Sequence, residues 1–452
     1  MTTKTSASDP ANRFWAAASQ SALLTPVLAL FSAFLLGALI IWLTSGSLLT
    51  VWEAYSGLFR GAFLKQRGLT ETLVATIPYV FLGLAVAVGF KSGLFNIGVE
   101  GQYTIGSVAA AWAGVAFKGL PAIILLPLCL LVGAAGGALW AAIPGYLKAK
   151  TGAHEVINTI MMNYVAFRLT EYLVGNLLKD KVSSAIQTVP VSVEAELWTM
   201  QSVPQRLENP LNALLVAIVL ALVAWIVARE WKARQAARPG LVASPWFARL
   251  VGLVFGIVCF FALPPLTRLW WPFTDQYDRL HIGIFLAVGA AFFIWWLLWK
   301  TTLGFELRVV GSNANAARYA GISITRNVML AMIVSGALAG LAGTIEVLGV
   351  STCRCLPLFF SSGYGFDSIA ISLIAKNSPF GILAASFLFG AMRNGADLME
   401  LSSGVSKYII SVIQALGLLF VAAPAIIRWV YRVRSGPHPD EAVPLTKGWG
   451  GG

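Results

Sequence analysis

The strongest constraint on this chain is a succession of apolar runs at 23–43, 73–90, 103–117, 121–143, 156–178, 211–228, 251–266, 282–299, 328–350, 366–375, 380–398 and 405–430. A helix needs about 20 apolar residues to cross a hydrocarbon core of about 30 Å, and in lipid it must satisfy its own backbone groups. Only the run at 366–375 is clearly too short to cross unaided. With 58% hydrophobic and 12% charged residues and a mean hydropathy of +0.76, a soluble fold would expose large apolar patches. The expected fold class is therefore all-α: a polytopic membrane protein with about 10 core transmembrane helices. The runs inside 211–266 add an extra two-helix hairpin. The expected organisation is a cytoplasmic segment at 1–22, a membrane domain at 23–430 and a disordered tail at 431–452 rich in Pro and Gly. The first run is too long for a signal-peptide core and no small-residue cleavage site follows it, so it reads as an uncleaved span.

Charge then orients the spans. The net charge is 32 − 20 = +12. On a soluble protein that would point to nucleic acid; here it points to basic loops held in the cytoplasm, with no nucleic-acid partner. Arg229, Lys232, Arg234, Arg238 and Arg249 share one loop, and Lys300, Arg308, Arg318 and Arg326 another. Lys148, Lys150, Arg428, Arg432 and Arg434 fall on the same side if spans alternate. Both termini are then cytoplasmic, and the loops at 179–210 and 267–281 face outward. The loop at 44–70 is slightly basic and fits this pattern less well. Cys129 and Cys259 lie in apolar runs and read as small hydrophobes. Cys353 and Cys355 flank Arg354 in an outer loop; unpaired thiols are the favoured reading, and pairing is left open.

Two segments break the pattern at membrane depth. KSGLFNIGVEGQ at 91–102 carries Asn96, Glu100 and Gln102 among glycines. The segment 361–381 carries Gly363, Gly365, Asp367, Asn377 and Pro379. Broken helices survive in lipid only where protein or a water-filled cavity satisfies the freed backbone, and paired breaks in corresponding halves point to a transport site. The shared pattern Phe95-Asn96 and Phe366-Asp367 fits an inverted repeat, and fits chance similarity as well. The substrate path is expected to use Asn96, Glu100, Gln102, Asn158, Asn163 and Asp367, since intramembrane acids are costly and amides can hold a polar solute. Gly133, Gly136 and Gly137 read equally well as close-packing residues. Arg168 and Glu171 read as mutually neutralising, and Glu346, Arg393 and Asp397 as charges snorkelling near helix ends.

The segment 301–326 is more ordered than a connector needs to be. Ser312 or Asn313 can cap a helix, the stretch from Ala314 to Ala320 favours one, and Gly321 suits a left-handed terminus. A two-turn helix on the cytoplasmic side is expected, either docking a partner or lying free at the interface.

FNIGVEGQ at 95–102, HEVINTIMMNY at 154–164, TTLGFELRVVGSNANAARYAGI at 301–322 and GFDSIAISLIAKNSPFG at 365–381 occur in order, and together they resemble the permease subunits of bacterial ABC importers for simple sugars and nucleosides. The resemblance covers most of 73–430 and is nearer the nucleoside branch than the ribose or galactose permeases. It implies a pore formed with a second permease, homologous or identical, in the cytoplasmic (inner) membrane. It also implies two ABC ATPase subunits that bind ATP, and a periplasmic or lipoprotein binding protein that delivers solute. Asn313, Ala316, Ala317, Arg318, Tyr319 and Gly321 would then form the coupling helix that meets the ATPase. The hairpin at 211–266 and Val309 depart from the family pattern.

The chain itself has no G-x-x-x-x-G-K-[ST] stretch, so no ATPase site, cofactor or metal is expected within it. An ion-coupled secondary transporter using Glu100 or Asp367 is the alternative, but it leaves the capped cytoplasmic helix unexplained. A membrane enzyme is disfavoured because His154, His281 and His438 have no ligand-like spacing. Residue types alone leave nucleoside against sugar, and homodimer against heterodimer, undecided.

Overall fold

The computed structural model describes residues 24–236, 245–361, 363–423, 426–427 and 430–431. The segment 1–22, the tail beyond Tyr431, and Arg238, Arg428, Arg432 and Arg434 lie outside them. The described residues form α1 (Leu24–Ser45), α2 (Leu48–Phe59), α3 (Gly68–Lys91), α4 (Val99–Ala116), α5 (Ala122–Thr151), α6 (Glu155–Tyr172), α7 (Val203–Leu207) and α8 (Pro210–Ala236). They continue with α9 (Pro245–Leu269), α10 (Gly283–Lys300), α11 (Thr302–Ser312), α12 (Ala314–Tyr319), α13 (Ile324–Ile345), α14 (Tyr364–Ile374), α15 (Pro379–Ser403) and α16 (Tyr408–Ala422). No strand is present among them, and seven helices are long and apolar enough to cross a membrane. The all-α polytopic expectation therefore holds.

Two expected loops are helical. The segment 44–70 contains α2 and a π-helical turn, Arg60–Leu64. Its polar residues hid an amphipathic stretch: Ala54 and Leu58 are buried where α2 packs on α15, while Leu48 and Trp52 stay exposed. Ahead of the expected helix in 301–326 lies α11, which Thr301 caps by accepting from the Gly304 N–H at 3.0 Å. The run at 405–430 yields the shorter α16, because Gly404 ends α15 in a left-handed turn and α16 stops at Ala422 ahead of Pro424; residues 426, 427 and 430 are helical again.

The centre of the molecule is α3, buried from Ile77 to Gly89 and wrapped by α10, α13, α14 and α15. Beside it α4, α5 and α13 pack almost backbone to backbone. A side chain at Gly340 would meet the Gly133 carbonyl, and one at Gly137 the Gly336 carbonyl, so glycine here is a requirement of close approach. Away from this body, α8 and α9 pack mainly on each other, tethered through Trp198, Leu207 and Phe260.

The loops expected to face outward form one bonded layer. Backbone hydrogen bonds join Thr188 to Leu356, Leu197 to Leu348, Met200 to Leu280 and Ile282 to Trp198. Cys353 and Cys355 are joined by a disulfide, against the unpaired reading favoured from sequence. His281 is buried in this layer; its Nδ1 accepts from the Gly283 N–H at 3.1 Å and its Nε2 has no partner. Burial, and then Arg354 and Arg279, push its pKa down to about 3. The neutral imidazole is thus favoured by the fold, while an unfolded histidine titrates near 6.5. Between those values the unfolded chain binds the extra proton, so stability falls as pH drops, by up to about 1.4 kcal/mol per pH unit. Thermal unfolding from pH 7 to 4.5 is expected to show this slope, and His281→Gln to flatten it; equal slopes would refute the assignment.

Candidate functional site

The first break, 92–98, lies between α3 and α4 and is closed by side chains standing in for backbone partners. Asn96 Oδ1 accepts from the Gly98 N–H at 3.0 Å, and its Nδ2 donates to Gln102 Oε1 at 3.0 Å and to Ser335 Oγ at 2.9 Å. Gln102 Nε2 donates back to Asn96 Oδ1 at 3.1 Å. Asn163 on α6 accepts from the Gly101 N–H at 2.9 Å and donates to the Ile97 carbonyl at 3.0 Å. These three amides therefore spend their hydrogen bonds on each other, on Ser335 and on the nearby backbone.

Glu100 joins the two breaks. Fully buried, its carboxylate accepts from the N–H groups of Gly363 and Gly365 and from the Ser361 hydroxyl. It sits at the start of α14, where unbonded N–H groups and the helix dipole favour an anion. Asp367, one turn into α14, accepts from the Tyr79 hydroxyl at 2.8 Å, and Arg393 Nη1 reaches the same hydroxyl at 3.4 Å. The fold thus holds Asn96, Gln102 and Asn163 in one bonded set, latches Glu100 to the start of α14, and ties Asp367 to Tyr79 and Arg393 in a third. Asn158 stands apart from all three, with Nδ2 buried and unpartnered.

Beneath the loop 351–357 lies a cavity of about 360 Å³ lined by Arg279, Glu346, Phe360, Tyr364 and Arg393 among others. The Arg393 guanidinium lies 4.0 Å over the Tyr364 ring. Glu346 and Arg393, read from sequence as snorkelling charges, instead meet here, because a π-helical turn at Glu346–Val350 ends α13 under the loop. No local pattern marks them; only an acid and an arginine inside apolar runs hinted at a site. Asp397 does pair near a helix end, with Lys407 at 3.1 Å. A smaller cavity of about 280 Å³ is lined by Thr104, Tyr164, Arg168, Glu171 and Phe360. Arg168 and Glu171 neutralise each other there at 2.6 Å.

On the opposite end of α13, Asn313 caps α12 by accepting from the Ala316 N–H at 3.0 Å. Gly321 follows in the left-handed region at φ +76°. Asn313, Ala316, Arg318, Tyr319 and Gly321 are exposed, Tyr319 at 95%, whereas Ala317 is fully buried beneath the helix.

Seven membrane-length helices, two interrupted segments and a capped short helix make a many-span helical protein, and its sequence relatives show that it is a permease. The chain belongs to the permease family described as "Branched-chain amino acid transport system / permease component", which matches residues 68–232 and 241–422. It is 37% identical over 410 residues to the guanosine ABC transporter permease protein NupP of Bacillus subtilis, covering 91% of this chain and 96% of that protein. Identity to the nucleoside ABC transporter permease protein NupB of Lactococcus lactis is 30%, over 89% of this chain and 92% of that one. The glucose ABC transporter permease protein TsgB13 of Haloferax volcanii is 32% identical, over 82% of this chain and 80% of its own length. No solved structure matches. The chain is a multi-pass membrane protein and an ABC transporter permease.

Proposed function

We propose that this permease imports nucleosides, or simple sugars, across the cytoplasmic membrane, driven by ATP bound on separate ATPase subunits. It pairs with a second permease, homologous or identical, and receives solute from a periplasmic or lipoprotein binding protein. Both termini are cytoplasmic, α12 is the coupling helix, and the α8–α9 hairpin lies at the periphery of the pore. The observation that carries this reading is near full-length similarity to permeases named for guanosine and for nucleosides. The latched breaks support a transport path through this region, with Asn158 and Asp367 closest to a solute and the amides of Asn96, Gln102 and Asn163 holding its wall.

The test is uptake of labelled guanosine and of labelled sugars in cells expressing the chain with its partner subunits. Wild-type uptake is expected to persist when a protonophore acts at constant ATP. Arg318→Glu combined with Tyr319→Ala, both on the exposed face of α12, is expected to cut uptake more than about ten-fold at unchanged membrane levels, as hot-spot loss at a docking helix does. Uptake that collapses with the proton gradient would favour the ion-coupled alternative. Normal uptake by the double variant would remove the coupling assignment.

A further inference from the structure

Glu346 lines the cavity beneath the loop 351–357, and its buried Oε2 has no hydrogen-bond partner; behind the lining residue Phe360, the buried Tyr103 Oη has none either. Tyr103 lies within electrostatic reach of Glu346, and both lie within reach of Arg393. The arginines balance the charge of Glu346 but do not bond it. Arg279 donates to both oxygens of Glu71 and to the Val350 carbonyl, and Arg393 is committed to the Tyr364 ring and the Tyr79 hydroxyl. The carboxylate is therefore compensated electrostatically and left unsatisfied as an acceptor. A purely structural acid would be bonded, as Glu71 and Glu100 are, because unbonded buried polar atoms are costly.

What fits is constrained. With Arg279 set against Glu71, and Arg393 answering both Glu346 and Asp367, no positive charge is left over for an anionic solute, and the neutral solutes of the importer reading fit. The carboxylate matches a hydrogen-bond donor, whether a hydroxyl of a sugar ring or an N–H on the edge of a 2-amino-6-oxopurine. Phe360, stacked on Tyr103 at 5.3 Å, and Tyr364 provide aromatic wall. A volume of about 360 Å³ is within the range of small-molecule sites. We propose that this cavity is a solute-holding subsite of the permease itself, with Glu346 accepting a hydrogen bond from a neutral, ring-bearing solute. The inference rests on the importer reading and adds a selective site within the membrane subunit.

The experiment is uptake of tritiated guanosine by the full transporter carrying Glu346→Gln or Glu346→Asp, with membrane levels and ATP hydrolysis measured alongside. Glutamine removes the charge with little change of shape, so the variant is expected to assemble. It should raise KM about ten-fold with the maximal rate per transporter retained, and aspartate should restore part of the loss. Competition by 2′,3′-dideoxyguanosine, inosine and adenosine locates the donor. If a sugar hydroxyl is held, the dideoxy compound competes equally poorly in wild type and variant; if the base edge is held, inosine and adenosine do. Either pattern supports the subsite. An unchanged KM and competition profile in Glu346→Gln overturns it while leaving the importer reading intact, and so does a fall in rate for every solute at constant KM. Absence of both nucleoside and sugar uptake in the wild type overturns both.

Discussion

Glu100→Gln is expected to lower stability by about 2–3 kcal/mol and to cut transport more than ten-fold. Glutamine keeps the length of the side chain and one acceptor oxygen, but its amide group points two donors at a site that already holds three. The Ser361 hydroxyl and the N–H groups of Gly363 and Gly365 then compete for a single oxygen. At least one of them is left buried and unbonded, and the favourable meeting of a carboxylate with a helix start is lost. Because α14 is only 11 residues long, its own hydrogen bonds are few and its position depends on that meeting. The check is thermal unfolding of the purified chain beside guanosine uptake with and without a protonophore. A variant with wild-type melting and uptake would show that the latch is dispensable; wild-type uptake that collapses with the protonophore, and a variant indifferent to it, would show that the acid carries a proton.

Gly340→Val is expected to prevent accumulation of folded protein, and Gly340→Ala to cost about 1–3 kcal/mol or more. The first atom of any side chain at 340 meets the Gly133 carbonyl, and neither backbone has a rotamer to yield. Separating α5 from α13 would also disturb the contacts both make with α4. The matched control is Gly289→Ala in α10, where an added methyl group meets nothing within 4 Å. That change should be neutral or stabilising by roughly 0.5–1 kcal/mol, since alanine suits a helix better than glycine. Melting temperatures of the three variants beside the wild type test the contrast; equal behaviour at 340 and 289 would refute the seam.

The elements legible in the sequence were those written in local pattern. Apolar runs fixed most helices because length and hydropathy are properties of a single segment. Asn313 and Gly321 announced α12 because caps are local chemistry too. What escaped was amphipathic or non-local. The polar side of α2 masked its helix, and α11 looked like part of a connector. The importance of Glu100 was readable, since an acid at membrane depth demands a reason, but its partners lie more than 260 positions away. Glu346 and Arg393 were misread for the same reason: taken singly they resemble helix-end charges, and only the packing of α13 and α15 around α3 brings them to one cavity. The pairing of Cys353 with Cys355 stayed open, with free thiols favoured, because a spacing of two says nothing of how the loop turns between them.

The placement of α13 has a mechanical consequence. Its first turn follows α12 directly and is tied to α11 by Asn327 Nδ2 donating to Glu306 at 3.0 Å, while its far end carries Glu346 into the cavity. Between them run 22 residues, about 33 Å of helix at about 1.5 Å per residue. Halfway along, the helix rests on glycines rather than on interleaved side chains, so little soft material lies between it and α5 to absorb a push. Under the proposed roles of α12 and Glu346, a load applied to the exposed face of α12 would thus arrive at that carboxylate as a displacement of a single stiff rod. Engine and cargo would be connected by one piece of secondary structure.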